Sequence, residues 1–401
     1  MPLYHWVGKT LSGEVRRGEM EAADAKLVEA RLRRLQITPL KVEERKESFL
    51  ARFQPKKVSG GELAVFTRQL ATMLESGLPL VQALEALASQ QKNPYFREVI
   101  RKVKSSVEGG SSLADALREF PKVFDTLYCQ MVEAGEAGGN LDTILSRLAT
   151  YQEKIQAIKS KIKHAMMYPI VIIVVTILVL SVIMVFVIPK FAQMFAEAGQ
   201  ALPLPTQIVI AASNLTKRYF PFFVLGVIVL VFLLKRYYAT ERGRYQIDKL
   251  LLRLPLFGDL FHKSALARFS RTLSSLIASG VPLLQGLSIA GRVSGNRVIE
   301  RVVEEVRVSV SEGQSIAEPM AVSGYFPHMV TQMISVGEAT GALEQMLDKV
   351  ADFYEDEVDR TVDTMSTLIE PILIVFLGGI IGSIIVSLYL PIFKLASVAG
   401  G

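Results

Sequence analysis

The chain has 401 residues, half of them hydrophobic, a mean hydropathy of +0.33 and a formal net charge of +6. That hydropathy is high for a water-soluble protein, and the length calls for two or three domains. The single cysteine, Cys129, excludes an internal disulfide framework, and with only four histidines a zinc site is not expected.

Residues 1–47 read as a small α+β module. Leu3-Tyr4-His5-Trp6-Val7 and Glu14-Val15-Arg16-Arg17-Gly18-Glu19 have strand character around a Ser12-Gly13 turn. Asp24 to Gln36 has helical spacing, with Leu27, Val28, Leu32 and Leu35 as the apolar stripe. Gly8-Lys9-Thr10 looks like the end of a phosphate-binding loop, but position 3 is Leu where that motif needs glycine, so it reads as a turn. Met1 to Ser12 has no long apolar core, so no cleavable secretory signal is expected. Residues 48–59, charged and carrying Pro55, form a linker.

The rest of the chain is one unit written twice. Glu75-Ser-Gly-Leu-Pro-Leu80 is answered by Ser279-Gly-Val-Pro-Leu283, with Ser76, Gly77 and Pro79 matching Ser279, Gly280 and Pro282 at a separation of 203. Gly110 and Ser112 match Gly313 and Ser315, and Gly135-Glu136 matches Gly337-Glu338. Pro169, Pro189 and Phe191 match Pro371, Pro391 and Phe393. Each copy reads as about six helices. In each, the glycine of Ser-Gly-x-Pro ends one helix in a left-handed turn and the proline opens the next. Ser112 with Asp115, and Ser315 with Glu318, have capping-box spacing. The expected domains are 60–165 and 235–370.

Three apolar runs follow or separate these domains: 166–188, 219–234 and 371–393, with an intervening segment 189–218 and a tail 394–401. Nineteen residues from Ile170 to Ile188 would cover roughly 28 Å, close to the hydrocarbon thickness. Lys154, Lys159, Lys161 and Lys163 precede the first run, and Lys235, Arg236, Arg242, Arg244 and Lys249 follow the second. The positive-inside rule therefore places both repeats in the cytoplasm and 189–218 outside. The same clustering explains the net positive charge without nucleic acid, for which no aromatic-basic motif is present. The fold class is an all-α membrane protein: two homologous cytoplasmic helical bundles, three transmembrane helices and the small N-terminal α+β module.

Phe66-Thr-Arg-Gln-Leu-Ala-Thr-Met-Leu74, Leu127-Tyr-Cys-Gln-Met-Val-Glu-Ala-Gly-Glu136, Tyr168-Pro169, Phe186-Val-Ile-Pro-Lys-Phe191, Glu370-Pro371 and Ile37-Thr-Pro-Leu-Lys-Val42 follow one another in the order of a known family. Nearly the whole chain resembles the inner-membrane platform proteins shared by type IV pilus machines and type II secretion (PilC/GspF). The Leu-Tyr-Cys and Phe-Val-Ile-Pro segments look more like the pilus branch. The resemblance implies a non-enzymatic homo-oligomer of the bacterial inner membrane. Its implied partners are pilus assembly and retraction ATPases, pilin subunits and other inner-membrane pilus assembly proteins, and its implied role is to couple the motor to pilin insertion or removal. The alternatives are the type II secretion platform and, in another class, a small transporter or channel, which would need polar residues facing a pathway within the bilayer.

No cofactor and no catalytic set is evident; Cys129 falls in an apolar helix and reads as core. Gly135-Glu136 reads first as an inter-helix turn, with Asn140 capping the helix from Leu141. Under the resemblance, Gln82, Glu136 and Asn140 could instead serve as oxygen ligands for calcium, although Ala342 replaces Asn140 in the second copy. Gly378 and Gly382 have the spacing of a membrane-helix packing face. Glu370 reads as a solvated carboxylate at the membrane boundary. The acidic run Asp352, Glu355, Asp356, Glu357, Asp359 reads as a solvated helix face, with docking to a basic motor surface as the functional alternative.

Overall fold

The computed structural model describes residues 3–10, 15–21, 24–34, 36–44, 57–197, 203–255 and 257–399. The chain divides after Lys57 into two compact units. In the first, strands β1 (Leu3–Thr10), β2 (Val15–Glu21) and β3 (Ile37–Glu44) form an antiparallel sheet of order β2-β1-β3, with helix α1 (Ala25–Arg34) between β2 and β3. Tyr4, Val28 and Leu32 are its buried core, with Trp6, Ile37 and Val42 packed against them. Both expected strands are present, and a third, β3, was not drawn from the sequence because Pro39 disguises it. Gly8-Lys9-Thr10 is not a turn: Gly8 pairs with Arg16 inside β1, where the pairing to β3 shifts register between Val7 and Gly8. Of the expected helix stripe, Val28 and Leu32 are buried while Leu27 is exposed; Leu35 and the Ser12-Gly13 turn lie outside the described residues.

The second unit repeats one six-helix plan. The first repeat is α2 (Gly60–Glu75), α3 (Leu80–Gln90), α4 (Pro94–Glu108), α5 (Leu113–Arg118), α6 (Thr126–Gly138) and α7 (Leu141–Val182). Between the repeats lie α8 (Ile188–Glu197), α9 (Leu204–Tyr238) and α10 (Glu241–Leu251). The second repeat is α11 (Phe257–Ala278), α12 (Leu283–Val293), α13 (Arg297–Ser311), α14 (Ala317–Ser323), α15 (His328–Thr340) and α16 (Leu343–Ala399). Gly77 and Gly280 both take the left-handed conformation (φ +80° and +79°), which a side chain would strain, and end α2 and α11. Pro79 and Pro282 stand at the N-cap of the following helix, one residue before its first turn.

Each repeat has its own apolar centre. Phe66, Phe96, Phe124 and Tyr128 stack at tilted and edge angles in the first, and Phe269 meets Phe326 edge-on in the second. The two centres touch. Leu276, Val281 and Ile289 of the second repeat join the first core, and Ile158 of α7 joins the second.

The first and third apolar runs are not separate elements. The first is the end of α7, and the third lies within α16; Pro169 sits inside the α7 helix. At 1.5 Å per residue, the 42 residues of α7 extend about 63 Å and the 57 of α16 about 86 Å. Both exceed a bilayer, so each helix leaves its bundle and continues through the apolar zone without a joint. Their outward side chains there are large and apolar, Ile170, Val174, Leu178, Ile374 and Val375 among them, each half-exposed or more. An exposed apolar girdle of this kind belongs in lipid. The second run lies in α9, which begins at Leu204, well before residue 219.

Between α7 and α8 the helix widens to a π-turn over Ile183–Val187, where Ile188 N–H donates to Ile183 O. This leaves the Met184 carbonyl without its usual partner, and Pro189, next in line, has no N–H to offer. The buried Ser213 hydroxyl of α9 donates to that carbonyl instead, and Thr206 Oγ1 donates to Ser387 O of α16 at 2.5 Å. Within lipid an unsatisfied carbonyl has no water to turn to. Ser213→Ala is therefore expected to lower stability by about 1 kcal/mol, read as a drop in the thermal midpoint of the detergent-solubilised protein, whereas Thr216→Ala, whose hydroxyl serves only its own helix, should leave it unchanged.

Candidate functional site

The Gly-Glu pair recurs because it performs one structural task in each repeat. Glu136, on α6, accepts the backbone N–H of Leu113 (2.6 Å) and of Ala114 (2.9 Å), the first free donors of α5. Glu338, on α15, accepts those of Ile316 (2.6 Å) and Ala317 (3.2 Å) at the start of α14. A carboxylate on these donors satisfies them and meets the positive end of the helix. Ser112 and Ser315 supply the next bond, to Asp115 N–H and Glu318 N–H. The expected box at Ser112 is half formed, since Asp115 turns to Arg118 (2.7 Å). A complete capping box stands at Ser59 and Glu62 instead.

The preceding glycine has a separate reason. A Cβ on Gly337 would lie 2.8 Å from Leu343 Cα, and one on Gly135 would lie 3.0 Å from Ile144 Cβ. The two helices are thus in backbone contact at that point, and Gly139 and Gly341 close the turn in the left-handed conformation. Asn140 occupies the N-cap position of α7 but makes no side-chain cap bond, contrary to the expected role. Gln82, on α3, is exposed, as is Asn140. Among the described residues no hydrogen bond joins Gln82, Glu136 and Asn140, and calcium there would compete with two backbone donors for Glu136.

The second assembly lies along α7 and α16, which run parallel. Arg147, Lys154 and Lys161 of α7 face Glu344 (4.0 Å), Asp352 (2.9 Å) and Asp359 of α16. Ile158 and Ile162 of α7 share an apolar cluster with Val358, Val362 and Met365. Behind them the Arg271 side chain of α11, only 6% exposed, binds Asp348, Asp352 and Glu355. Arg147 also donates to Ala278 O (2.5 Å), and Tyr151 shares a buried hydrogen bond with Thr272. Four of the five acids of the run are therefore not a solvated face: Asp352, Glu355, Glu357 and Asp359 pair with cations of α7 or α11, Glu357 through Lys263 at 3.0 Å, while Asp356 is exposed.

Burial pushes the Asp352 carboxyl up, but hydrogen bonds from Lys154 and Arg271 outweigh it and hold the group below its ordinary value. Arg68 and Glu153 (2.7 Å) are the first repeat's counterpart of Arg271 and Glu355, more exposed and without the additional acids. The pair escaped the sequence reading, although its members recur at the repeat spacing.

In the membrane zone, Ile380, Ile384 and Leu388 of α16 pack with Ile188 and its neighbours. Gly378 and Gly382 do not: a Cβ at either meets nothing within 4 Å. Cys129 is buried, and burial raises its thiol to about 11.

In each copy of the duplicated helical bundle the last helix runs on into a long apolar stretch. The family model for type II secretion system protein F matches residues 66–189 and again 269–391, and the model for its N-terminal domain matches residues 1–43. The type IV pilus assembly protein PilC of Myxococcus xanthus is 50% identical over 398 residues, covering 98% of this chain and 94% of that protein. The Pseudomonas aeruginosa protein of that name is 40% identical, covering 93% and 100%. A type II secretion system protein F of Aeromonas hydrophila is 37% identical, covering 94% and 98%. The chain belongs to the PilC/GspF family of platform proteins.

Gly337→Ala is expected to cost about 1–3 kcal/mol by forcing α15 from α16, measured by thermal unfolding, with Gly382→Ala near zero as the contrast. Because the Asp352 carboxyl is depressed in the folded state, its stabilising effect is full above the unfolded value and fades as pH falls through the folded one. The melting temperature of the wild type should therefore fall below about pH 4, the ordinary carboxylate range, and Asp352→Asn should flatten that part of the profile while lowering stability at neutral pH.

Proposed function

We propose that this protein is the inner-membrane platform of a type IV pilus machine and couples a cytoplasmic ATPase to pilin insertion or removal without catalysis of its own. The observation that carries the proposal is continuity: α7 and α16 run from the two bundles into apolar spans without a break, and they are paired side by side. A displacement imposed on the bundles would reach the membrane through two stiff, laterally locked helices. The relatives named for pilus assembly at 50% and 40% identity support the pilus branch over secretion, where the Aeromonas hydrophila protein stands at 37%. The basic residues flanking the spans favour cytoplasmic bundles. The open Gly378–Gly382 face suits contact with a second copy or another membrane helix.

A clean deletion complemented by the full chain tests this. Loss of surface pili with normal exoprotein secretion is the expected outcome; intact pili with failed secretion would move the protein to the secretion branch. For orientation, Gln200→Cys is expected to react with an impermeant maleimide added from outside intact inner membranes facing outward, with Cys129 silent because it is buried and its thiol stays protonated.

A further inference from the structure

At the level where both long helices enter the apolar zone, residues of α7 and α16 line an open cavity of about 730 Å³. Lys161, His164 and Tyr168 line its α7 wall, and Asp359, Asp363 and Glu370 its α16 wall. Its floor is set by sequence: the apolar runs begin at Ile170 on one helix and at Pro371 on the other. From Asp363 to Glu370 the cavity extends about 10 Å along the helix axis, a depth that coincides with the headgroup layer above the hydrocarbon core.

The charges divide unevenly. Lys161 and Asp359 pair with each other at the upper end. Among the described residues, the side chains of His164, Tyr168, Asp363 and Glu370 have no hydrogen-bond or ion-pair partner. The open part of the cavity thus offers two carboxylates on one wall, and a phenol and an imidazole on the other, with the Lys161 ammonium at the rim. A purely anionic headgroup would face two uncompensated carboxylates. A choline headgroup has no N–H to give them. A primary ammonium has three donors, and a phosphate attached to it could be met by Tyr168, His164 and Lys161.

We propose that this cavity is a binding site for phosphatidylethanolamine, with its ammonium on the α16 wall that carries Asp363 and Glu370 and its phosphate toward His164 and Tyr168 of α7. The lipid would fill the open groove beside the Ile162–Val362–Met365 contact of the two helices and would hold them at a set spacing as they enter the membrane. The site depends on the membrane placement of α7 and α16 and is independent of which machine the protein serves.

Native mass spectrometry of the full chain released from detergent, titrated with phosphatidylethanolamine, phosphatidylcholine and phosphatidylglycerol of identical acyl chains, tests the proposal. Phosphatidylethanolamine is expected to bind about fivefold more tightly than phosphatidylcholine, the scale of an exposed charge-assisted contact. The D363N/E370Q variant should bind the two equally while keeping the wild-type melting temperature. Equal binding of the two lipids by the wild type would overturn the proposal without recourse to any variant. So would tighter binding of phosphatidylglycerol, or a preference that survives in D363N/E370Q.

Discussion

The parallel docking of α7 against α16 and α11 is the contact on which the rest of the second unit depends. Its apolar part, Ile158 and Ile162 against Val358, Val362 and Met365, supplies most of the attraction, since each large side chain buried there contributes about 1.5–3 kcal/mol. The half-exposed pairs of Lys154 and Lys161 contribute at most about 1 kcal/mol each, and their effect is on register: cations seven residues apart on one helix meet acids at matching intervals on the other. Arg271 is different in kind. It is buried, and a buried guanidinium without its acids would be strongly destabilising. The arginine therefore holds the acidic face of α16 inward and, through the shared Asp352, ties α7 of the first repeat to the core of the second.

The second recurrent theme is backbone donors and acceptors satisfied from a distant helix. Glu136 and Glu338 close the starts of α5 and α14 from α6 and α15. Ser213 closes the gap that the π-turn and Pro189 leave at Met184. In each case a helix terminus or irregularity inside the protein or the lipid would otherwise carry an open polar group. The neighbouring glycines serve the same contacts by a different route, since they let the two helices approach until their backbones touch.

Duplication has not produced two equal halves. The Arg68–Glu153 pair keeps the repeat position of Arg271–Glu355 but remains exposed, whereas Lys154 of α7 lies against its counterpart. The Gly378–Gly382 face points away from the helices that α16 packs against. The molecule thus has one internally closed repeat and a bare membrane face, an arrangement suited to assembly with other chains.

The periodic signals in the sequence determined the duplicated six-helix plan, the apolar runs and the positions of Gly77, Gly280, Gly135 and Gly337, because such features are local: a left-handed turn, a helical stripe or a hydrophobic stretch is written in adjacent residues. The role of the glycines at 135 and 337, the use of Glu136 and Glu338 as caps and the inward turn of the acidic run were decided only by tertiary structure. The glycines answer to the next helix, 6 to 9 residues on, and the caps and the acidic run to partners 20 to 200 residues away, as with Glu338 and Ile316 or Lys154 and Asp352; an acidic helix face reads the same in sequence whether water or arginine lies opposite it. The strand Ile37–Glu44 and the burial of Gly8 within β1 were likewise invisible to local rules, since pairing in the sheet outweighs the turn character of Gly and Pro. The unbroken passage of α7 and α16 from the bundles into the apolar runs was likewise not written locally: Pro169 is a local breaker, yet α7 continues through it.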